Sequence, residues 1–326
     1  MSNVTPGLVC AHHHLYSALT RGMPAPPKQP TEFLSILEQI WWRLDAALDL
    51  DMLRAAARLG ATEALMCGTT AIVDHHESPN AIDGSLSVIA EACAEVGVRV
   101  VCAYGVTDRW NAPGRPSPEM ASSTWAVPPR RMTDAARRGL AECERFIREG
   151  GRGMVGIHAA FTCSDETLAA ASGLARDLGV GVHVHVAEGP IDTPAAGRLA
   201  SLAGDDWLLV HGVHLPDDSA LPGSLAHNPR SNMNNSVGYA RPARFANTVV
   251  LGTDGIGADM LEEFRLAYVR LREHDVMASP DTPWAWLEAG WSLVPEARGD
   301  RVVWNADGAD SAWHVAFSPG LRAIEV

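Results

Sequence analysis

The stretch Pro6-Gly7-Leu8-Val9-Cys10-Ala11-His12-His13-His14-Leu15 decides how the chain is read. Its apolar run reads as a buried β-strand that leads directly into three histidines. Residues two apart on a strand point to the same side, so His12 and His14 share a face and His13 turns away. At a rise of ~3.3 Å per residue their imidazoles stand about 6–7 Å apart along the backbone, within reach of one metal ion. A His-x-His pair also suits turn or surface histidines, and three histidines near a start suit a tag remnant. The preceding strand and the downstream pattern favour the ligand reading.

Working outward, Thr31 is expected to cap a helix carrying Phe33, Leu34, Leu37, Ile40 and Trp41. A second helix runs from Leu50 to Met66 and stops at Gly68. Further helices are expected over Leu86 to Gly97, Thr133 to Gly150, Ser164 to Leu178 and Leu261 to His274, with a long Pro-, Ser- and Trp-containing loop from Asp108 to Pro129. Short apolar strands alternate with them, centred near Val9, Ile72, Val101, Val155, Val184, Leu209, Leu225 and Leu251. Strand and helix alternating at this spacing mean βαβ units and a parallel sheet. Eight such units predict an α/β protein of the (β/α)8 barrel type, whose active site lies at the C-terminal ends of the strands.

That rule turns the sequence into a site map. His12 and His14 close the first strand, His158 the fourth, His185 the fifth, His211 the sixth, His227 the seventh and Asp254 the eighth, with Glu188 three residues past His185. Thirteen histidines scattered at random would rarely do this. His12, His14, His185 and Asp254 offer three imidazoles and a carboxylate, a set suited to one divalent ion, zinc first and iron as the alternative. Such an ion lowers the pKa of a bound water from about 15.7 to roughly 7. Glu188 is then placed as a proton shuttle and His211 as a group that polarises or deprotonates. His183, two before His185, reads as a core histidine one layer deeper. His75 and His76 read as pocket or loop-capping residues, and His214, His274 and His314 as peripheral. Asp254 taken alone, in Thr253-Asp254-Gly255, is also an ordinary turn residue.

Composition narrows the class. The chain has 326 residues, 47% hydrophobic and 20% charged, which suits a globular protein with a large core. A net charge of −13 argues against nucleic-acid polymers and anionic membranes as partners. Six cysteines without pairing motifs point to reduced thiols and a cytoplasmic location. No apolar run reaches the ~18–20 residues needed to cross a bilayer, and no signal segment precedes the first strand.

The motifs Pro6-Gly7-Leu8-Val9 with His12-x-His14, His185-x-x-Glu188, His211, His227-Asn228-Pro229-x-Ser231-Asn232 and Gly252-Thr253-Asp254-Gly255 resemble the amidohydrolase superfamily. More narrowly, they are similar to its ADA/TRZ/ATZ-type deaminase and chlorohydrolase branch, over about Pro6 to Phe264. Trp41-Trp42-Arg43-Leu44-Asp45, Asp74-His75-His76-x-Ser78-Pro79 and Ser231-Asn232-Met233-Asn234-Asn235 look closest to aminohydrolases of the SsnA type. The resemblance implies one divalent metal on His12, His14, His185 and Asp254, and proton handling by Glu188, His211 and Asp254. It implies attack of a metal-held hydroxide at a ring carbon of a purine-, pyrimidine- or triazine-like heterocycle, with release of ammonia. His158, Asn228, Ser231 and Asn232 would line the substrate pocket.

Two departures from that family pattern stand out. Only Met1 to Thr5 precede the first strand, and the part after Asp254 is short, with strand-like pieces at Asp300 to Trp304 and Trp313 to Phe317. The expected organisation is therefore a barrel over residues 1–290 and a remnant of an accessory β-sandwich over 291–326. Apolar surface left by a reduced sandwich calls for a cover, so a homo-oligomer is one expectation, and a start codon further upstream is another. The same apparatus would serve other hydrolysis, of a C–Cl bond or a cyclic amide or imine. A degenerate homologue that only binds is the alternative from a different class. Trp41, Trp42, Trp110 and Trp125 are candidates to face a flat ring or to pack in the core.

Overall fold

A computed structural model describes residues 1–112, 115–116 and 128–326 of the chain. Eight parallel strands are formed by Leu8–His13 (β1), Thr69–His76 (β2), Arg99–Tyr104 (β3), Val155–Ala159 (β4), Val182–Val186 (β5), Leu208–His211 (β6), Ser224–His227 (β7) and Thr248–Leu251 (β8). Strands β1 to β3 pair in chain order, as do β4 to β8. Bridges Cys102↔Gly153 and Val106↔Ile157 join β3 to β4, and His13↔Asp254 joins β8 back to β1. The circle is closed, and the architecture is the (β/α)8 barrel.

The strands are short apolar runs because both of their faces are covered, one by the barrel interior and one by helices. Val9, Ala11, Ala71, Val73, Val101, Ala103, Leu208, Val210, Ala226 and Val250 pack together as the interior. The opposite residues, Cys10, Ile72, Cys102, Val155, Val184 and Leu251, join a larger core shared with the helices. Closure at the β8–β1 seam needs a residue without a side chain. A Cβ on Gly252 would stand 2.4 Å from Asn228 Oδ1 and 2.8 Å from the His12 carbonyl.

The helices follow their capping chemistry. Asp49 accepts from Met52 N at the start of Leu50–Met66, and Ser164 from Thr167 N at the start of Asp165–Leu178. The first helical segment is capped by Glu32 and not by Thr31, because Glu32 and Ser35 bond each other's backbone reciprocally. It continues through a π-helical turn, Leu37–Trp41, into Trp42–Ala47.

One further expectation is corrected: Trp313 to Phe317 is not a strand, since Ala312–Ala316 is a helical turn with Ser311 as its N-cap. β2 runs to His76, fully buried, and Pro229–Asn234 form a short helix. The strand at Val302–Trp304 is present and pairs antiparallel with Val4–Thr5 on one side and Ala323–Glu325 on the other. Trp304, 2% exposed, pins this small sheet to the barrel, with its ring against Gly68 and its indole N–H donating to Thr5 Oγ1 at 2.9 Å. Among the described residues no helix is long and apolar enough to cross a membrane.

Candidate active site

The histidines of β1 reach the barrel interior through an irregularity. Cys10 pairs with Ile72 but His13 pairs with Asp74, so Ala11 and His12 together stand opposite the single residue Val73. This is a β-bulge, a device that re-aims side chains. Without it, strict alternation from Val9 would send His12 outward with Cys10. His13 does point away, its Nδ1 bonded to Thr253 Oγ1 at 2.8 Å.

Two other site residues take backbone conformations that non-glycine residues rarely adopt. His211, the last residue of β6, has φ 74°, and Asp254, three residues past β8, has φ 54°. Such strain concentrates at functional sites. It turns both side chains into the mouth of the barrel.

There His14 Nε2 lies 3.1 Å from Asp254 Oδ1, and His12 Nε2 lies 3.6 Å from the same oxygen. His185 Nε2 is 3.3 Å from His14 Nε2. His211 Nε2 is 3.3 Å from Glu188 Oε2 and 3.8 Å from Asp254 Oδ2. Three overlapping sets have their donor atoms within 4.8 Å of one another: His12, His185 and His211; His12, His14 and Asp254; Glu188, His211 and Asp254.

The supporting hydrogen bonds fix the state of each ring. His14 Nδ1–H donates to the His75 carbonyl at 2.5 Å, His185 Nδ1–H to the His158 carbonyl at 2.6 Å, and His211 Nδ1–H to Asn232 Oδ1 at 2.8 Å. Each of the three therefore turns its Nε2 toward the common centre, the arrangement that metal-binding histidines use. His12 Nδ1 bonds His183 Nε2 at 2.8 Å, and the buried Nε2 atoms of His12 and His211 have no hydrogen-bond partner among the described residues. The Nε2 atoms of His14 and His185, 3.3 Å apart, both stand ready to bind one cation beside the Asp254 carboxylate, so the donor set fits a divalent ion.

Electrostatics agree with this division. Burial keeps His12, His185 and His211 below the ordinary histidine range, hence neutral. His14 differs: burial opposes its charge, but the hydrogen bond and charge of Asp254 draw it up to about 9, so Asp254 holds a proton on its Nε2, the position a divalent ion would take in that proton's place. Asp254 stays ionised despite burial because the His12 and His14 rings stand against its carboxylate, at 3.6 and 3.1 Å. Burial, then the charge of Asp254, holds Glu188 well above the ordinary carboxylate range.

Asn228, Ser231 and Asn232 sit elsewhere than expected. Ser231 donates to Asp254 Oδ2 at 2.5 Å and Asn232 holds His211, both from behind, while the Asn228 side chain is buried against Gly252. None of the three is on the pocket wall, where Asn235 stands instead, 3.4 Å from Glu188 Oε1. His158 does line the pocket. His227 faces away, its ring against Tyr239 and Trp286. Trp41 and Trp42 line the pocket, Trp110 is buried beside it, and Trp125 lies outside the described residues.

The pocket holds about 660 Å³ of empty space, its open mouth included. Sequence reasoning missed a charged group on its far wall. Arg109 lies between Asp45 and Glu77, in salt bridges to both, with Trp42 and Trp110 at 4.4 and 5.1 Å from its guanidinium. Burial, then the charge of Glu77, pushes Asp45 up to about 8. Glu77 follows the end of β2 directly, so the strand-end rule would have found it. Nothing in the sequence singles out Asp45 or Arg109.

The amidohydrolase family profile matches residues 3–289, and the chain belongs to that family. It is 30% identical over 293 residues to a 5'-deoxyadenosine deaminase of Methanopyrus kandleri, covering 81% of this chain and 61% of that one. It is 25% identical over 349 residues to an 8-oxoguanine deaminase of Pseudomonas aeruginosa, covering 93% and 74%. An adenosine deaminase from Xanthomonas campestris with bound zinc superposes with a TM-score of 0.77 at 18% identity, over 96% of this chain and 76% of that one. The chain thus spans about three fifths of the length of the first of these relatives.

Proposed function

We propose that this chain is a metal-dependent aminohydrolase that removes an amino group, as ammonia, from a small nitrogen heterocycle of the purine, pyrimidine or triazine kind. The observation that carries the reading is Glu188, a buried carboxyl 3.3 Å from His211 Nε2, on the wall of the pocket that His14, His185 and Asp254 also line. The deaminase relatives support it.

His12, His14, His185 and Asp254 would hold one divalent ion, zinc before iron. When bound, that ion supplies an activated water and polarises the ring carbon. The chain's own residues handle protons. His211, locked by Asn232, offers Nε2 as an acceptor, and Asp254 offers a second one next to it. Glu188 delivers a proton to the ring nitrogen beside the attacked carbon, and the leaving amine departs as ammonia. A chloride leaving group would need no such acid, so Glu188 favours deamination over dechlorination.

We read residues 1–290 as the barrel and 291–326 as a shortened accessory β-domain, a division that the antiparallel pairing of Val4–Thr5 with Val302–Trp304 supports. Six free thiols support a cytoplasmic setting. A small-molecule partner, and no nucleic-acid polymer, suits the net charge of −13. A homo-oligomer would cover Trp313 and Phe317, 56% and 65% exposed.

The test is ammonia release by zinc- or iron-loaded protein across amino-purines, pyrimidines, triazines and pterins. Release from one ring, abolished by a chelator and lowered about 10²–10⁴-fold by Glu188→Gln, is the expected result. Silence with metal bound would move the reading to another leaving group. Protein that takes up no metal would overturn it.

A further inference from the structure

We propose that Glu77 is a specificity-determining residue which, with His158, accepts hydrogen bonds from an N–H or amino group on the substrate's far edge. The inference rests on the aminohydrolase reading for where the reacting carbon sits. It adds a substrate class: a ring that carries a donor group besides the amino group it loses.

The two acceptors are defined by their other bonds. Thr162 Oγ1 donates to the Ala159 carbonyl at 3.1 Å, so it accepts from His158 Nδ1–H at 2.8 Å, and His158 Nε2 is left with a lone pair. Glu77 Oε1 is occupied by Arg109 Nη2 and by the Trp110 indole N–H. Its other oxygen, Oε2, has no hydrogen bond among the described residues and stands 4.0 Å from His158 Nε2. Both residues line the pocket. Two acceptors facing each other at that distance repel, and an N–H donor placed between them satisfies both.

The far wall is built to hold this arrangement. Glu77 is 2% exposed and pinned through Oε1, so Oε2 has one direction available. Arg109 is a positioning residue, with the Trp42 and Trp110 rings at 4.4 and 5.1 Å from its guanidinium, and it bonds Glu77 through Oε1, the oxygen other than the one near His158. The His158 ring lies 5.6 Å from the His185 ring, and the paired acceptors and the histidine cluster line the same pocket, so one small ring can meet both. A ring with only apolar or acceptor groups on its far edge would leave a buried carboxylate oxygen unpaired.

Two matched pairs of rings test this: 2,6-diamino-9-methylpurine against 9-methyladenine, and melamine against 2-amino-1,3,5-triazine. Affinity is measured by calorimetry on the zinc-loaded Glu188→Gln protein, which does not consume the ligand, and kcat/KM on the zinc-loaded wild type. The donor-rich member of at least one pair is expected to bind roughly 10- to 100-fold more tightly, the size of one charge-assisted hydrogen bond. Adding Glu77→Gln should reverse that preference. The Gln carbonyl must stay on Arg109 and Trp110, so its NH2 replaces Oε2 and meets donor with donor. Affinities that differ by less than threefold within both pairs, or no binding of any ring, would overturn the inference even if Glu77→Gln failed to fold. Equal turnover of both members would overturn it and leave the aminohydrolase reading standing. Donor-dependent binding with no ammonia released by the wild type would support the acceptor pair and remove the aminohydrolase reading.

Discussion

Asn232→Ala separates the structure's account of the site from the pocket-lining role that the family resemblance implies. Asn232 is 2% exposed and His211 fully buried, and Asn232 Oδ1 accepts from His211 Nδ1–H at 2.8 Å. Alanine leaves that N–H without a partner in a buried place, at a cost of about 1–3 kcal/mol. If the cost falls on the working orientation of His211, then at ~1.4 kcal/mol per tenfold kcat drops roughly 5- to 150-fold. KM should stay within about threefold, because Asn232 is not on the pocket wall. The same cost lowers stability. For 326 residues at ~2.1 cal/mol/K each, the unfolding entropy is about 0.7 kcal/mol/K, so Tm falls by about 1.5–4 °C. The assay is initial-rate ammonia release over a range of substrate, with metal content measured on the same protein. Asn232→Asp keeps the acceptor and should recover much of kcat. A KM raised tenfold with kcat intact would refute the reasoning and return Asn232 to the substrate. No change in either would make it a plain structural residue.

Two further predictions concern the metal site and the small sheet. Asp254→Asn removes the carboxylate that faces His12, His14 and His211; retained metal in dialysed protein should fall roughly 10-fold or more, and full occupancy with normal turnover would take Asp254 out of the ligand set. Trp304→Ala empties a buried site and strands Thr5; a loss of about 3–5 kcal/mol predicts a Tm lower by about 4–7 °C, and a shift under about 1 °C would mean that residues 302–304 do not brace the barrel.

Much of this protein was legible because its period is simple. Strands buried on both faces are short apolar runs, helices carry caps such as Asp49 and Ser164, and the rule that active sites occupy strand C-termini points to His12, His14, His158, His185, Glu188, His211 and Asp254, which the fold brings together. The same rule overreached at His227, which ends its strand on the outward face. It also fell short at Glu77, one residue past β2.

What the sequence determined by itself was therefore the barrel, the order of its strands and the residue types gathered at its mouth, since these follow from local periodicity and composition. Tertiary structure decided how those residues are aimed. The bulge at Ala11 and His12 depends on how β1 pairs with β2, and the left-handed turns at His211 and Asp254 depend on the closed barrel holding them. Pairings across long separations, Asn232 with His211 or Arg109 with Asp45 and Glu77, leave no periodic trace. The single helical turn at Trp313 shows the same limit: five apolar-rich residues suit a strand or a helix equally, and contacts from the rest of the fold choose between them.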